Sequence, residues 1–459
     1  MNLKKQKWLI LLMTGWFFAS CDGFLDERPS KALVVPNTTE DMHAILNVVD
    51  QMNAGDGFGL IFSDDLFIPD AAWIGMGELE REGYRWKMEL SNATGNLDSW
   101  SSPYSRIFRI NLVLEESLNI FSQSAEEERR LEEIRARAKF LRAYHYFDLL
   151  EMFSHPIVQE GDLDRPAIPL KLTPSMDEIK GLATSREIYG QIISDLNQAA
   201  EVLPASNPDL LRPTKAACYG LLARVYLQLN EYQKVLDNTE KSLQIKSELL
   251  DFNSVPELSN IPLPRNRYSI PRFNEEVVIH LQSITYSFQN SAQTFIDPGL
   301  YHLYGENDLR KFLYFTAPNA DGKVNFIGNF SGAFQLFTGI TVGELYLMKA
   351  EALARLGNSQ EALVTLNDFL SSRYLTGSFQ PYTIVDPKEL LALIILERRK
   401  ELVYRGLNRW RDLRRYLGDP DWQGPEGRTV QGELYELGRD PENYRLEIPP
   451  NEKSLNDKL

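Results

Sequence analysis

Cys21 is the first residue in this chain whose type and setting together specify a reaction. Lys4, Lys5 and Lys7 precede an apolar run from Trp8 to Phe18, and Ala19-Ser20-Cys21 closes it. The run is too short for a comfortable bilayer span, but it has the length of a signal-peptide core ending in small residues at a cleavage point. Residues 1–20 are therefore expected to be a lipoprotein leader, and Cys21 the first residue of the mature chain with its thiol free for lipid attachment. Each buried methylene of an acyl chain contributes roughly 0.8 kcal/mol, so two chains anchor a protein to a membrane surface. The other cysteine, Cys218, has no partner if Cys21 is acylated, which excludes a disulfide framework.

Beyond that thiol the chain offers no specific catalytic motif. It lacks a His-Glu-x-x-His zinc site, a Gly-x-Ser-x-Gly elbow, a Walker loop and a dinucleotide fingerprint. Gly55-Asp-Gly-Phe-Gly59 is read as a turn, since no strand leads into it. The five histidines, at 43, 145, 155, 280 and 302, never fall at i, i+3 or i+4, so no metal and no cofactor is expected. Asp64-Asp65 lies among aromatic residues, but a glycosidase pair is defined by a separation in space that chain spacing cannot supply.

Binding is the better supported chemistry. Trp73, Tyr84 and Trp86 lie in one loop-rich stretch, and Tyr286, Phe288, Tyr301, Tyr304 and Tyr314 in another. Aromatic faces stack on the apolar faces of sugar rings and equally accept peptide side chains, while Asp, Asn and Arg supply hydrogen bonds. The formal charge is −15, and becomes −18 once the three leader lysines are gone. So acidic a surface disfavours DNA and RNA, whose binding rests on Lys and Arg at phosphates. The basic run Glu397–Arg415 is accordingly read as a helix held to its neighbours by ion pairs, with Glu401–Arg405 and Arg409–Asp412 at helical spacing.

The elements that must position these residues are mostly helical. Spacings of three and four predict helices over 39–50, from Trp100 to Leu118, up to Phe153, over 186–203 and 214–230, and from Pro387 to about Tyr416. Ala136, Phe140, Ala143, Phe147 and Leu150 share one stripe. Within 219–243 a degenerate tetratricopeptide pattern recurs at an offset of 127, mapping Tyr219 to Tyr346, Ala223 to Ala350, Tyr226 to Leu353 and Asn230 to Gly357. Asn and Gly suit a turn that requires positive φ. The expectation is a mostly α single large domain over 39–459. Its helix pairs fall at about 100–153, 186–243 and 343–415, its loop-rich regions at about 55–95 and 250–340, and a lipidated tether at 21–38 precedes it.

Four passages resemble the SusD/RagB family of nutrient-binding outer-membrane lipoproteins. Cys21-Asp-Gly-Phe-Leu-Asp-Glu-Arg-Pro29 is similar to that family's mature start. Trp100-x-x-x-Tyr104-x-x-Ile107-x-x-x-Asn111 and Arg137-Ala-Lys-Phe-Leu-Arg-Ala-Tyr-His-Tyr-Phe-Asp148 are similar to its framework helices, and Glu397-Arg-Arg-Lys-Glu-Leu402 with Gly406 and Arg409-Trp410-x-Asp412-Leu413 to its C-terminal signature. The resemblance implies a scaffold of tetratricopeptide-like helix pairs and a loop-rich ligand surface. It also implies a non-catalytic protein, lipid-anchored at the outer membrane and facing the exterior, that captures oligosaccharide or polysaccharide for a SusC-like TonB-dependent transporter. Cys21 would carry the lipid; the family has no motif that marks ligand contacts, so the candidates Trp73, Asp65, Tyr301 and Tyr304 come from their place in the loop-rich stretches, outside the matched passages. The alternatives are a peptide-binding member of the same family and a surface glycoside hydrolase.

Overall fold

The computed structural model describes residues 36–89, 97–175, 178–255 and 268–459. The leader, Cys21 and the tether up to residue 35 lie outside the described residues. Ten helices carry the scaffold: α1 (Thr39–Leu46), α2 (Asp98–Glu116), α3 (Ala125–Phe153), α4 (Ser185–Val202), α5 (Lys215–Gln228), α6 (Tyr232–Ile245), α7 (Val342–Arg355), α8 (Ser359–Ser371), α9 (Pro387–Glu401) and α10 (Asn408–Arg415). Each helix from α2 to α7 packs on the next, and α7 also meets α8 and α9, so the pairs form one continuous stack. All five residues of the predicted stripe, from Ala136 to Leu150, are buried, and one apolar cluster runs unbroken from Met42 to Ile448. The mostly α, single-domain expectation holds.

The internal repeat is visible in the backbone. Asn230, between α5 and α6, has φ 57°, and Gly357, between α7 and α8, has φ 84°. The closing hydrogen bonds correspond residue for residue: Asn230 N–H donates to Leu227 O and Glu231 N–H to Tyr226 O, as Gly357 donates to Ala354 O and Asn358 to Leu353 O. Left-handed residues end these helices so that the next can turn back.

The last predicted helix is two. Tyr404 (φ 59°) and Gly406 (φ 53°) break it between α9 and α10. Nor does either predicted spacing pair form as such. Glu401 pairs with Arg373 and Arg310, Arg405 stands 3.7 Å from the centre of the Phe330 ring, Arg409 pairs with Asp64, and Asp412 joins Arg398 and Arg415. Apart from the Asp412–Arg415 contact within α10, the chain folds these charges against other elements.

Those partners are buried. Arg373 bridges Glu276 and Glu401, Arg310 bridges Asp308 and Glu397, and Lys400 joins Asp308 to Glu397. Arg415 pairs with Glu351 of α7, while Arg411 and Arg414 reach Asp148 and Glu151 of α3. Burial opposes the charge on Glu351, but Arg415 and Arg355 outweigh it and bring the carboxyl down to about 2.

The glycines of the 55–59 segment serve close packing. A Cβ on Gly55 would strike the Tyr144 hydroxyl, one on Gly57 the Ile284 carbonyl, and one on Gly59 the Leu407 side chain, each at 2.0 Å. No room is left there for a phosphate. Short strands then join the two loop-rich regions: Ala54–Gly55 runs parallel to Gln282–Ser283, and Leu66–Phe67 antiparallel to Phe295–Ile296.

Two predictions follow from this packing. Asn230→Gly removes a left-handed non-glycine residue and leaves the urea midpoint unchanged or slightly raised, whereas Asn230→Val costs about 1–2 kcal/mol. Arg373→Met strands Glu276 and Glu401 in the interior and lowers the unfolding free energy by about 3–5 kcal/mol, read from denaturant titration.

Candidate functional site

A cavity of about 410 Å³ opens where the joined loop regions meet the C-terminal segment. Its walls come from Asp64 and Leu66, from Asp297, Gly299, Leu300 and Leu303, from Arg399 and Arg409, and from Gly424 to Arg428. Each wall has a local cause. The strand Phe295–Ile296 delivers Asp297, whose Oδ1 accepts the Leu300 N–H and starts the one-turn helix Pro298–His302. That turn sets Leu300 and Leu303 at the cavity edge. Gly424, at φ 86°, lets the chain enter the Gly424–Gly427 turn. A Cβ at Gly427 would approach Leu434 Cδ1 to 2.7 Å, so this position has room for glycine alone.

The floor is ionic. Arg409 of α10 grips Asp64 with two parallel hydrogen bonds of 2.6 and 2.7 Å. Arg399 of α9 donates to Asp65 Oδ1 at 2.8 Å and to the Asp64 carbonyl at 3.0 Å. Burial opposes ionisation of Asp64, yet Arg409 and then Arg399 outweigh it and hold the carboxyl well below its usual range. Asp65 behaves oppositely: burial raises it, its Oδ2 has no partner, and Arg399 compensates only in part. Arg428 donates to the backbone carbonyls of Ile61, Ser63 and Tyr84, and its guanidinium lies over the Tyr84 and Trp86 rings.

Such a cavity can hold a polar, uncharged ligand through many hydrogen bonds. Guanidinium groups donate, carboxylates accept, and Leu66, Leu300 and Leu303 add small apolar surfaces. Asp64, held as an anion by Arg409 and Arg399, is placed to accept hydrogen bonds and not to act as a general acid, which needs a raised pKa.

The residues singled out in the sequence fall differently. Asp65 is fully buried behind the floor. Tyr304 is 1% exposed and its hydroxyl donates to the Lys400 carbonyl. Trp73 is buried, with its Nε1–H donating to Arg81 O and its ring stacked on Arg85, whose other face meets Tyr435. Tyr301 is half-buried on the same short helix as Leu300, packed edge-on against Phe315. None of these four lines the cavity. Tyr84, Trp86, Phe288 and Tyr314 are likewise buried, with Trp86 Nε1–H donating to Phe62 O and the Tyr314 hydroxyl to Glu401.

What the sequence reading missed are Asp64, Asp297, Arg399, Arg409 and the Gly424–Arg428 wall as one site. Gly424-Pro-Glu-Gly427 is a strong turn signal, but nothing in its spacing says which distant residues it faces.

The chain is similar to known proteins over most of its length. A family model described as starch-binding and associating with the outer membrane matches residues 23–227, and a model of the SusD family matches residues 327–458. SusD-like protein P2 of Formosa agariphila is 25% identical over 526 residues, covering 100% of this chain and 99% of that protein. A SusD superfamily protein of Bacteroides thetaiotaomicron superposes with a TM-score of 0.73 at 22% identity, over 92% of this chain and 98% of the other. A laminarin-binding SusD-like protein superposes with a TM-score of 0.63 at 19% identity, over 92% and 98%.

The floor carries its own test. Because the folded pKa of Asp64 is depressed, its ion pair stabilises the fold above the unfolded value of about 3.9, and that contribution vanishes as pH falls through the folded value. The stability gap between the wild type and Asp64→Asn is therefore largest near pH 7 and shrinks below pH 4, read by denaturant midpoints across pH.

Proposed function

This chain belongs to the SusD/RagB family, and on that premise we propose that it is a cell-surface glycan-binding protein that passes oligosaccharides to an outer-membrane transporter. The observation that carries the reading is the polar cavity between the two loop-rich regions and the C-terminal turn. Its matched donors and acceptors suit polyhydroxylated rings. Family membership supports association with the outer membrane, and the laminarin-binding relative supports a carbohydrate ligand.

The remainder of the reading builds on the sequence. Residues 1–20 direct export, Cys21 carries the lipid, and residues 21–38 tether the domain to the membrane. The partner is a SusC-like TonB-dependent transporter, and the protein itself is not catalytic. Tyr301, half-exposed beside Leu303, is the aromatic residue best placed to touch a ligand chain leaving the cavity. The burial of Trp73, Asp65 and Tyr304 gives them the role of supporting the walls.

Calorimetry of residues 22–459 against soluble glycans and oligopeptides, with product analysis of the same samples, tests this. The expected outcome is saturable glycan binding without cleavage, weakened at least tenfold by Arg399→Gln. Cleavage turns the assignment to a glycoside hydrolase, and binding of peptides alone turns it to peptide capture.

A further inference from the structure

We propose that the cavity selects uncharged glycans and rejects those bearing carboxylate or sulfate groups. The inference rests on the cavity being the glycan site. It starts from a charge inventory of the walls: Arg399, Arg409 and Arg428 face Asp64, Asp297 and Glu426, three cations to three anions. Directly behind Arg399 lies Asp65, a fourth carboxylate.

The cations are already engaged. Arg409 is committed to both oxygens of Asp64, Arg399 is shared between Asp64 and Asp65, and Arg428 is bonded to three backbone carbonyls beneath the floor. A uronate or sulfate entering the cavity leaves water and meets a site whose positive charge is spoken for. To capture Arg399 or Arg409 it must displace Asp64 or Asp65, stranding a buried carboxylate, and to capture Arg428 it must break that residue's bonds to buried carbonyls while facing Asp64 and Asp297. A hydroxyl group pays no such penalty, since it can accept from a guanidinium edge and donate to a carboxylate that remains paired.

Long-range charge acts in the same direction. The chain carries −15 overall, and Glu426 stands exposed at the cavity mouth. A polyanionic glycan is slowed on approach, and added salt weakens that repulsion.

The experiment compares size-matched oligosaccharides by calorimetry at low and high salt. Laminari- and malto-oligosaccharides, with a wider set of neutral linkages, form one arm; oligogalacturonides and sulfated carrageenan oligosaccharides form the other. At least one neutral glycan is expected to bind at least tenfold more tightly than every anionic one, and Glu426→Gln to narrow that gap several-fold. Tighter or equal binding of an anionic glycan overturns the inference while leaving the glycan reading in place. Discrimination that Glu426→Gln leaves unchanged lies outside this cavity and overturns it too. Failure of every glycan in both arms overturns the glycan reading itself, and the inference with it.

Discussion

Burying a guanidinium is costly unless a carboxylate is held against it, and this fold is arranged around that constraint. α9 and α10 bring Arg398, Arg399, Lys400, Arg409, Arg411, Arg414 and Arg415 inward, and each finds an acidic partner on another element or on the neighbouring helix. α3 supplies Asp148 and Glu151, α7 supplies Glu351, and the loop before Leu66 supplies Asp64 and Asp65. In the interior, removing either member of such a pair leaves the other uncompensated, so the pairs fix position more than they add net stability. The cavity floor is the exposed edge of this network. Its geometry is set by the same contacts that hold the helix stack to the loops.

Much of the scaffold was legible in the sequence. The 127-residue offset placed Asn230 and Gly357 at equivalent turns and brought α6, α7 and α8 to light, while helix spacing found α2 to α5, because tetratricopeptide-like pairs make mainly local contacts. The break between α9 and α10 was hidden, because apolar and charged residues continue in register across Leu402–Leu407 and only Gly406 hints at it. The buried face of α9 mixes apolar and charged residues. Leu390, Ile394 and Glu397 face inward, and pattern reading does not count a buried glutamate as core.

The site was less legible for a related reason. Large aromatic side chains signal binding only when exposed, and exposure depends on which loop covers them. Trp73 is closed in by Arg85 and Tyr435, which lies 350 positions along the chain from that arginine, and Tyr304 by the α9 backbone. Asp64-Asp65 was noticed as a carboxylate pair. Its partners sit in the passage that carries the clearest family likeness, but sequence adjacency gave no means of joining the two.

The bond between Asp64 and Arg409 spans 345 positions, and that between Arg428 and Ile61 spans 367. In a chain made amino end first, Asp64 and Ile61 wait for partners that are among the last parts of the fold to be made. The floor and the glycine wall can close only once Arg409 and Arg428 have been made, so the cavity depends on the longest-range contacts in the chain. A chain cut short before α9 would lack the cavity and would also leave Asp148, Glu151 and Glu351 buried without their cations, so the carboxy-terminal segment completes the scaffold and the cavity together.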